Sequence, residues 1–259
     1  MELHTEAEVE PALDVAISHA LLQRAAQQGI GSLRIWRPRR AALSLGRLDM
    51  RDPGARALAD IARSAGLEPV ARLAGGRAAV LDSGCLCLGW AQPAAGLQDP
   101  GGRYRFVAGA IVATLIALGV AAEVAATEGE WCPGTWSVRG PAGKLGGLAQ
   151  RVIRGAAWSE ALLVIERTPA CKEVAERVHK VLEIPWREEA QGELRPLLAG
   201  EADVHDALAT ALAAQLRRRW PALRVGPLPA GLRAQALALR ADHQVPQGSR
   251  NDQGPFKNW

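Results

Sequence analysis

The sequence predicts an α/β (α+β) fold: a mixed, largely antiparallel sheet with helices packed on it. Three observations carry that expectation. Strand-like and helix-like runs are interleaved along the chain. The strand-like runs are joined by short turns and not by helical crossovers, which a parallel sheet would need. Finally, 48% hydrophobic residues in a chain of 259 supply enough apolar side chain for a real core.

Taken in order, "PALDVAISHALLQRAAQQ" (11 to 28) places Leu13, Ala16, Ile17, Ala20 and Leu21 on one face at helical spacing. Pro11 opens that helix and Gly29 follows it, the usual asymmetry of helix ends. "SLRIW" (32 to 36) and "AALSLG" (41 to 46) read as two short strands around the turn "RPRR". A second helix is expected to start with Asp52 as N-cap and Pro53 at its first position, and to stop at Gly66. The stretch "EPVARLAGGRAAVLDSGCLCLGW" (68 to 90) reads as three strands separated by turns, the first turn glycine-rich. A long apolar helix from about Arg103 to Leu118 comes next. "TWSVRG", "KLGGLAQRVI" and "AAWSEALLVIE" then read as strands with glycine-rich turns. Helices near 171 to 182 and 203 to 219 complete the pattern.

No internal repeat appears, and no linker long enough to separate two domains occurs before residue 183. The expected organisation is a flexible N-terminus (1–10), a catalytic-size domain (11–185), a helical C-terminal part (186–243) hinged through "EIPWREEAQGELRPLLAGE", and a polar tail (244–259) whose composition predicts disorder.

Charge is nearly balanced, Lys+Arg 31 against Asp+Glu 27. The arginines are scattered, and the basic run Arg217 to Arg219 falls at a helix end, where it complements the dipole; no nucleic-acid groove is expected. Four cysteines do not make a disulfide framework in a chain of this size, which fits a reducing cytoplasm. The start "MELHTEAEVEPALD" has no basic and apolar pattern of a secretory signal. The uncharged run Phe106 to Ala122 falls short of the ~20 residues that span a bilayer, so no membrane partner is expected.

Three features could carry chemistry. In "RLAGGRAAV", Gly75 and Gly76 let backbone N–H groups approach a ligand, with Arg72 and Arg77 beside them; the plain alternative is an ordinary hairpin turn. Lys144 lies in "GKLGGLAQ" among small and apolar neighbours and could point into a cleft; the alternative is a surface lysine on an edge strand. Cys132, in "EWCPGTW", is held at a turn where a sulfur can sit partly exposed near backbone donors, as a nucleophile requires. The alternative is a buried structural cysteine. Cys85 and Cys87 alternate in a strand and read as core residues, and Cys171 opens a helix and reads as inert. The five histidines are not clustered, and of them His19 is the best placed to pair with Cys132 in space.

The order of "LRIWRPRRAALSLGR", "PVARLAGGRAAVLDSG" and "GKLGGLAQRVIRGAAWSEALLVIE" resembles the catalytic domain of the biotin and lipoate protein ligases, over roughly residues 11 to 185. The shared pattern is an aromatic-ended first strand with Gly-Arg after the second, an Arg-x-x-Gly-Gly turn and a Lys-x-x-Gly-x-x-Gln strand. "EWCPGTWSVRG" is also similar to the Ser-Tyr-Cys-Pro-Gly-x-Tyr-Asp-Leu segment of amidotransferases that take octanoyl or lipoyl groups from the glycine-cleavage H protein. Trp131 stands for tyrosine there, and Trp136-Ser137 for Tyr-Asp. Leu81 occupies the place where many relatives carry histidine.

The resemblance implies an octanoyl/lipoyl acyltransferase of protein lipoylation. Cys132 would be its nucleophile and Lys144 its active-site lysine, with Arg72, Gly75, Gly76, Arg77, Gly147 and Gln150 binding substrate. No metal ligands are implied. The implied acceptors are lipoyl domains of 2-oxo-acid dehydrogenase complexes, and the H protein is the implied donor. "AAVL" and "CLCLGW" would line a tunnel for the acyl chain. Such a transferase requires no cofactor. One alternative is an ATP-dependent lipoate-protein ligase using ATP and Mg²⁺, with Cys132 structural. Another is a non-catalytic module that binds acyl groups or lipoyl domains.

Overall fold

The structure is a computed structural model that describes residues 1–93 and 99–247. Its elements, in chain order, are β1 (Glu2–His4), α1 (Pro11–Gln28), β2 (Ser32–Trp36), β3 (Ala42–Leu45), α2 (Arg47–Met50), α3 (Ala55–Ser64), β4 (Glu68–Ala71), β5 (Ala79–Leu81) and β6 (Cys85–Pro93). There follow α4 (Pro100–Ala117), β7 (Glu123–Val124), β8 (Val138–Gly140), β9 (Gly143–Ile153), β10 (Ala156–Val164), α5 (Pro169–Val181), α6 (Val204–Arg217), β11 (Arg224–Val225) and α7 (Leu232–His243).

The described strands form a large sheet in the order β11-β1-β2-β6-β10-β9-β8-β7 and a small one in the order β4-β3-β5. All pairings of the large sheet are antiparallel except β1 with β11 and β1 with β2. In the small sheet β3 runs parallel to β4 and antiparallel to β5. The expected fold class is therefore the one found.

Side-chain alternation sets the layers. On one face of the large sheet Leu86, Leu88 and Trp90 of β6 meet Ile111 and Leu115 of α4 and Leu208 and Leu212 of α6. On the other face Cys85, Cys87 and Trp158 meet Leu13, Ile17 and Leu21 of α1 and Leu232 and Ala236 of α7. Trp158 fits there because the indole lies over Gly89 of the neighbouring strand; a Cβ on Gly89 would stand 2.2 Å from the ring. The small sheet packs its Leu43, Leu45 and Val80 on α3 and α5.

Several expectations at the ends are corrected. Residues 1–10 are not a flexible lead-in: β1 is a sheet strand, since three residues hydrogen-bonded between β11 and β2 gain partners that no local sequence pattern reveals. Residues 186–192 do not hinge a separate part. Gln191 accepts the Trp131 amide (3.1 Å) and donates to Gly129 O (2.7 Å), and Gly192 donates to Lys144 O (3.0 Å). Leu194 and Leu198 join the core under α4 and α6. Of the tail, Gln244 forms a bridge with Val70, and Val245 and Pro246 accept from Arg63. Positions 248 to 259 lie outside the described residues. The second long helix starts at Ala55 and not at Pro53, because Asp52 caps Gly54 N through its side chain (2.8 Å) instead of the helix itself.

Candidate active site

A cavity of about 280 Å³ opens between the α1 face of the large sheet, the small sheet and the 131–137 loop. That is near the lower end of the roughly 300–1,000 Å³ usual for small-molecule sites. Its walls bring together Cys132, Lys144, Arg72, Gly75, Gly76 and Gly147, six of the eight residues singled out from the sequence. Arg77 and Gln150 are not on its walls.

Cys132 has φ 41°, in the left-handed region that a non-glycine residue rarely occupies. Such backbone persists only where the surroundings over-determine it, and here they do. The Glu130 carboxylate, fully buried, accepts from Thr127 N (2.8 Å), Gly134 N (3.1 Å) and Ser137 Oγ (2.5 Å), and so fixes both sides of the turn. Lys144 Nζ, 1% exposed, donates to Trp131 O (2.7 Å) and Cys132 O (2.8 Å) and lies 3.4 Å from Glu130 Oε1. It also stands 4.1 Å from the centre of the Trp131 ring. Burial pulls the lysine's pKa down, against the opposing pull of Cys132 and Glu130. Lys144 therefore points inward, as the cleft reading expects, and its three donor positions hold the cysteine loop.

The Lys-x-x-Gly pattern has a steric origin. A Cβ at Gly147 would come within 3.1 Å of Lys144 Cε and 3.3 Å of the Trp131 ring, crowding the space the lysine occupies. The Gly-Gly turn is equally constrained. Gly76 has φ 94°, and a Cβ there would stand 2.5 Å from Arg72 Nη2 and 3.2 Å from Cys132 Sγ. Gly46, from the Gly-Arg that follows β3, faces the carbonyl of Gly76; its Cβ would lie 2.0 Å from that oxygen. The three sequence motifs are thus one contact surface.

Arg72 is 8% exposed, donates to Arg77 O (2.5 Å) and points Nη2 at Cys132 Sγ (3.8 Å). Its Nε is buried and has no hydrogen-bond partner among the described residues. A buried guanidinium with a spare donor on a cavity wall suits a negative sulfur, a carboxylate or a phosphate. Gly75 N donates to Gln150 O (3.3 Å), so that amide is committed to β9. The Gln150 side chain accepts from Arg103 Nε (2.8 Å) and donates to Pro100 O (3.2 Å), fastening the start of α4. Arg77 pairs with the buried Asp49 (3.3 Å), whose carboxyl is raised by burial, and anchors the turn from outside.

Two carboxylates escaped the sequence reading. Glu130 stands two residues before Cys132. Glu160 reaches the cavity wall from β10, where Trp158 Nε1 donates to its Oε2 (2.9 Å). Burial raises the Glu160 pKa, with Arg72 opposing. The available signal was an acidic residue interrupting the apolar run "AAWSEALLV". Of the expected tunnel strands, Ala79, Leu81 and Cys87 do line the cavity, whereas Leu86, Leu88 and Trp90 point to the opposite face by strand alternation. His19 does not line the cavity; its Nδ1 lies 3.1 Å from His243 Nε2, inside the α1–α7 contact. Cys85 and Cys171 are buried, with thiols pushed up to about 12 and about 11. No group of three or more metal-ligating side chains occurs among the described residues. No helix among them is long and apolar enough to cross a membrane.

The site is thus a glycine turn facing a cysteine loop, with a buried lysine beneath them, carried on an open, mostly antiparallel sheet. The chain belongs to the lipoyl protein ligase A/B catalytic domain family, whose model matches residues 10–193. It is thus an enzyme of the lipoate-protein ligase and transferase class, acting in protein lipoylation. Among solved structures it is similar to Ta0514 from T. acidophilum with bound lipoic acid, at 17% identity and TM-score 0.71 over 92% of this chain and 93% of that one. It is also similar to a lipoate-protein ligase A bound with ATP, at 16% identity and TM-score 0.72 over the same shares. A third similar structure is a bi-partite lipoate protein ligase and its E2 lipoyl domain from Thermoplasma acidophilum, at 16% identity and TM-score 0.68 over 92% and 91%. A search of curated proteins by sequence gave no match.

Proposed function

We propose that this enzyme moves an octanoyl or lipoyl group through a thioester on Cys132 to a lysine of a lipoyl domain. The observation that carries the reading is the cysteine itself: left-handed backbone, sulfur facing Gly76 and Arg72, carbonyl held by Lys144. A cysteine kept only for packing needs none of these.

The Cys132 sulfur, beside Arg72, attacks the acyl carbonyl of the donor; the C–S bond forms as the thiol gives up its proton, and the carbonyl electron pair moves to oxygen. Gly76 borders the sulfur, since a Cβ there would stand 3.2 Å from it, and no hydrogen bond commits its amide among the described residues, so that amide is the backbone donor proposed for the oxygen. Collapse expels the donor's thiol or amine, which leaves with the proton that the Cys132 thiol gave up. The acceptor lysine's amine then attacks the enzyme thioester, losing its proton as the C–N bond forms and Cys132 departs. Glu160 is the cavity-wall carboxylate whose raised pKa suits it to take that proton or to give one to a leaving amine. Lys144 acts in this scheme through Cys132, by keeping the loop in its strained form. The octanoyl-loaded glycine-cleavage H protein is the donor proposed, and lipoyl domains of 2-oxo-acid dehydrogenase complexes are the acceptors. No cofactor is required.

The spare Arg72 Nε also fits a second reading, an ATP- and Mg²⁺-dependent ligase, in which Arg72 would take an oxygen of an acyl adenylate. Intact mass separates the two. An octanoyl gain on wild type but not on Cys132→Ser, formed from octanoyl-H protein without ATP and reversed by hydroxylamine, supports the transferase. Acylation of an added lipoyl domain only with octanoate, ATP and Mg²⁺, undiminished in Cys132→Ser, establishes the ligase.

A further inference from the structure

Behind the main cavity lies a second hollow of about 30 Å³, and four residues line both: Asp14, Val15, Ser44 and Leu81. Two independent elements give the same order of approach. Along β5, from the turn where Gly76 meets the Cys132 sulfur, Ala79 lines only the main cavity and Leu81 lines both. Opposite Leu81 in β3, Ala42 lines only the second hollow. Along α1, Ser18 lines only the main cavity, Asp14 and Val15 line both, and Pro11 lines only the hollow. These α1 positions share one helical face. The shared residues are therefore a partition one side chain thick, at the end of the cavity away from the sulfur.

The two polar members are not free to receive an alkyl end. Asp14 Oδ1 is held by Arg34 Nη2 (2.5 Å) and the Glu8 amide (2.9 Å), and Ser44 presents a hydroxyl. Val15 and Leu81 are the apolar members, each half-buried and each lining both spaces. We propose that Val15 and Leu81 form the stop that sets the length of the acyl chain, and that the hollow behind them is room a longer chain would enter if either side chain were shortened. This rests on the acyl-transfer reading for the identity of the ligand, but the stop itself can be read by binding alone.

The experiment is calorimetric titration of wild type, Leu81→Ala, Val15→Ala and Ala79→Leu with hexanoate, octanoate, decanoate and dodecanoate. Below the stop each added methylene should tighten binding about fourfold, from ~0.8 kcal/mol per buried CH₂ at about 1.4 kcal/mol per tenfold. In wild type the gain should cease at one chain length. Shortening Leu81 or Val15 should move that length up by about two carbons, a gain of roughly fifteenfold for the first acid that wild type rejects. Ala79→Leu, which fills the space between sulfur and stop, should move it down, so the idea is tested even if one shortened variant fails to fold. The proposal is overturned if all variants share the wild-type profile, or if wild-type affinity climbs without a break through dodecanoate. Thioester formation is scored separately, as hydroxylamine-sensitive mass gain from octanoyl-H protein. A shifted binding profile with no thioester leaves the stop standing and sinks acyl transfer; a thioester with unshifted profiles does the reverse.

Discussion

Replacing Lys144 by methionine tests whether the lysine's principal task is to hold the cysteine loop. The change keeps an unbranched side chain of similar reach but removes three interactions at once, the bonds to Trp131 O and Cys132 O and the charge facing Glu130. Glu130 is left fully buried with three neutral donors, and two carbonyls lose their charged partner. Losing one member of a buried ion pair costs about 3–5 kcal/mol, a large share of the ~5–15 kcal/mol that holds a domain folded. Urea unfolding of wild type, Lys144→Met, Glu130→Gln and the double variant should therefore show Lys144→Met less stable by about 3–5 kcal/mol. The double-mutant cycle should give a coupling of about 1–3 kcal/mol. A loss under about 1 kcal/mol, or a coupling indistinguishable from zero, would refute the reasoning and return Lys144 to a contact with substrate alone.

Other outcomes follow from the same geometry. Cys132→Ser should fold with near wild-type stability and lose thioester formation entirely by intact mass; retention of acyl transfer in that variant removes the nucleophile role. Glu160→Gln should slow aminolysis of a preformed acyl-enzyme by roughly 10²-fold or more, the scale of general acid–base help, while leaving cysteine loading from an acyl thioester nearly intact in single-turnover mass kinetics. Gly89→Ala should cost about 1–3 kcal/mol of stability by overpacking, since its Cβ would meet the Trp158 ring at 2.2 Å; thermal melting that is unchanged would mean the indole can move. Acid should also weaken the fold through His19, whose pKa burial lowers from 6.5 to about 3. The folded protein resists a proton that the unfolded chain accepts below about pH 6.5, so this stabilisation is complete above that pH and is lost as pH falls toward 3, at up to about 1.4 kcal/mol per unit. His19→Gln should flatten that slope in denaturant midpoints measured across the window.

Local pattern determined the helices and strands whose signals are short-range. Pro11 and Gly29 bound α1 as read, and SLRIW is β2, because caps and periodicity act within a few residues. The three motifs also marked the cavity: a Cβ would collide at Gly46 and Gly76 and would crowd Lys144 and Trp131 at Gly147. Tertiary structure alone decided the rest. β1, β7 and β11 are two or three residues long and exist only through their sheet partners. Arg77 and Gln150 belong to the glycine motifs yet bind Asp49 and Arg103, Arg77 from the turn before β5 and Gln150 from β9 toward the start of α4, and neither lines the cavity. Whether Lys144 met solvent or protein depended on a loop twelve residues earlier folding over it. The placement of Glu160, Val15 and Leu81 on one cavity, and of Glu130 beneath the cysteine loop, comes from the packing of elements distant in sequence, and a carboxylate or a leucine carries no mark of which surface it will face until the sheets have packed.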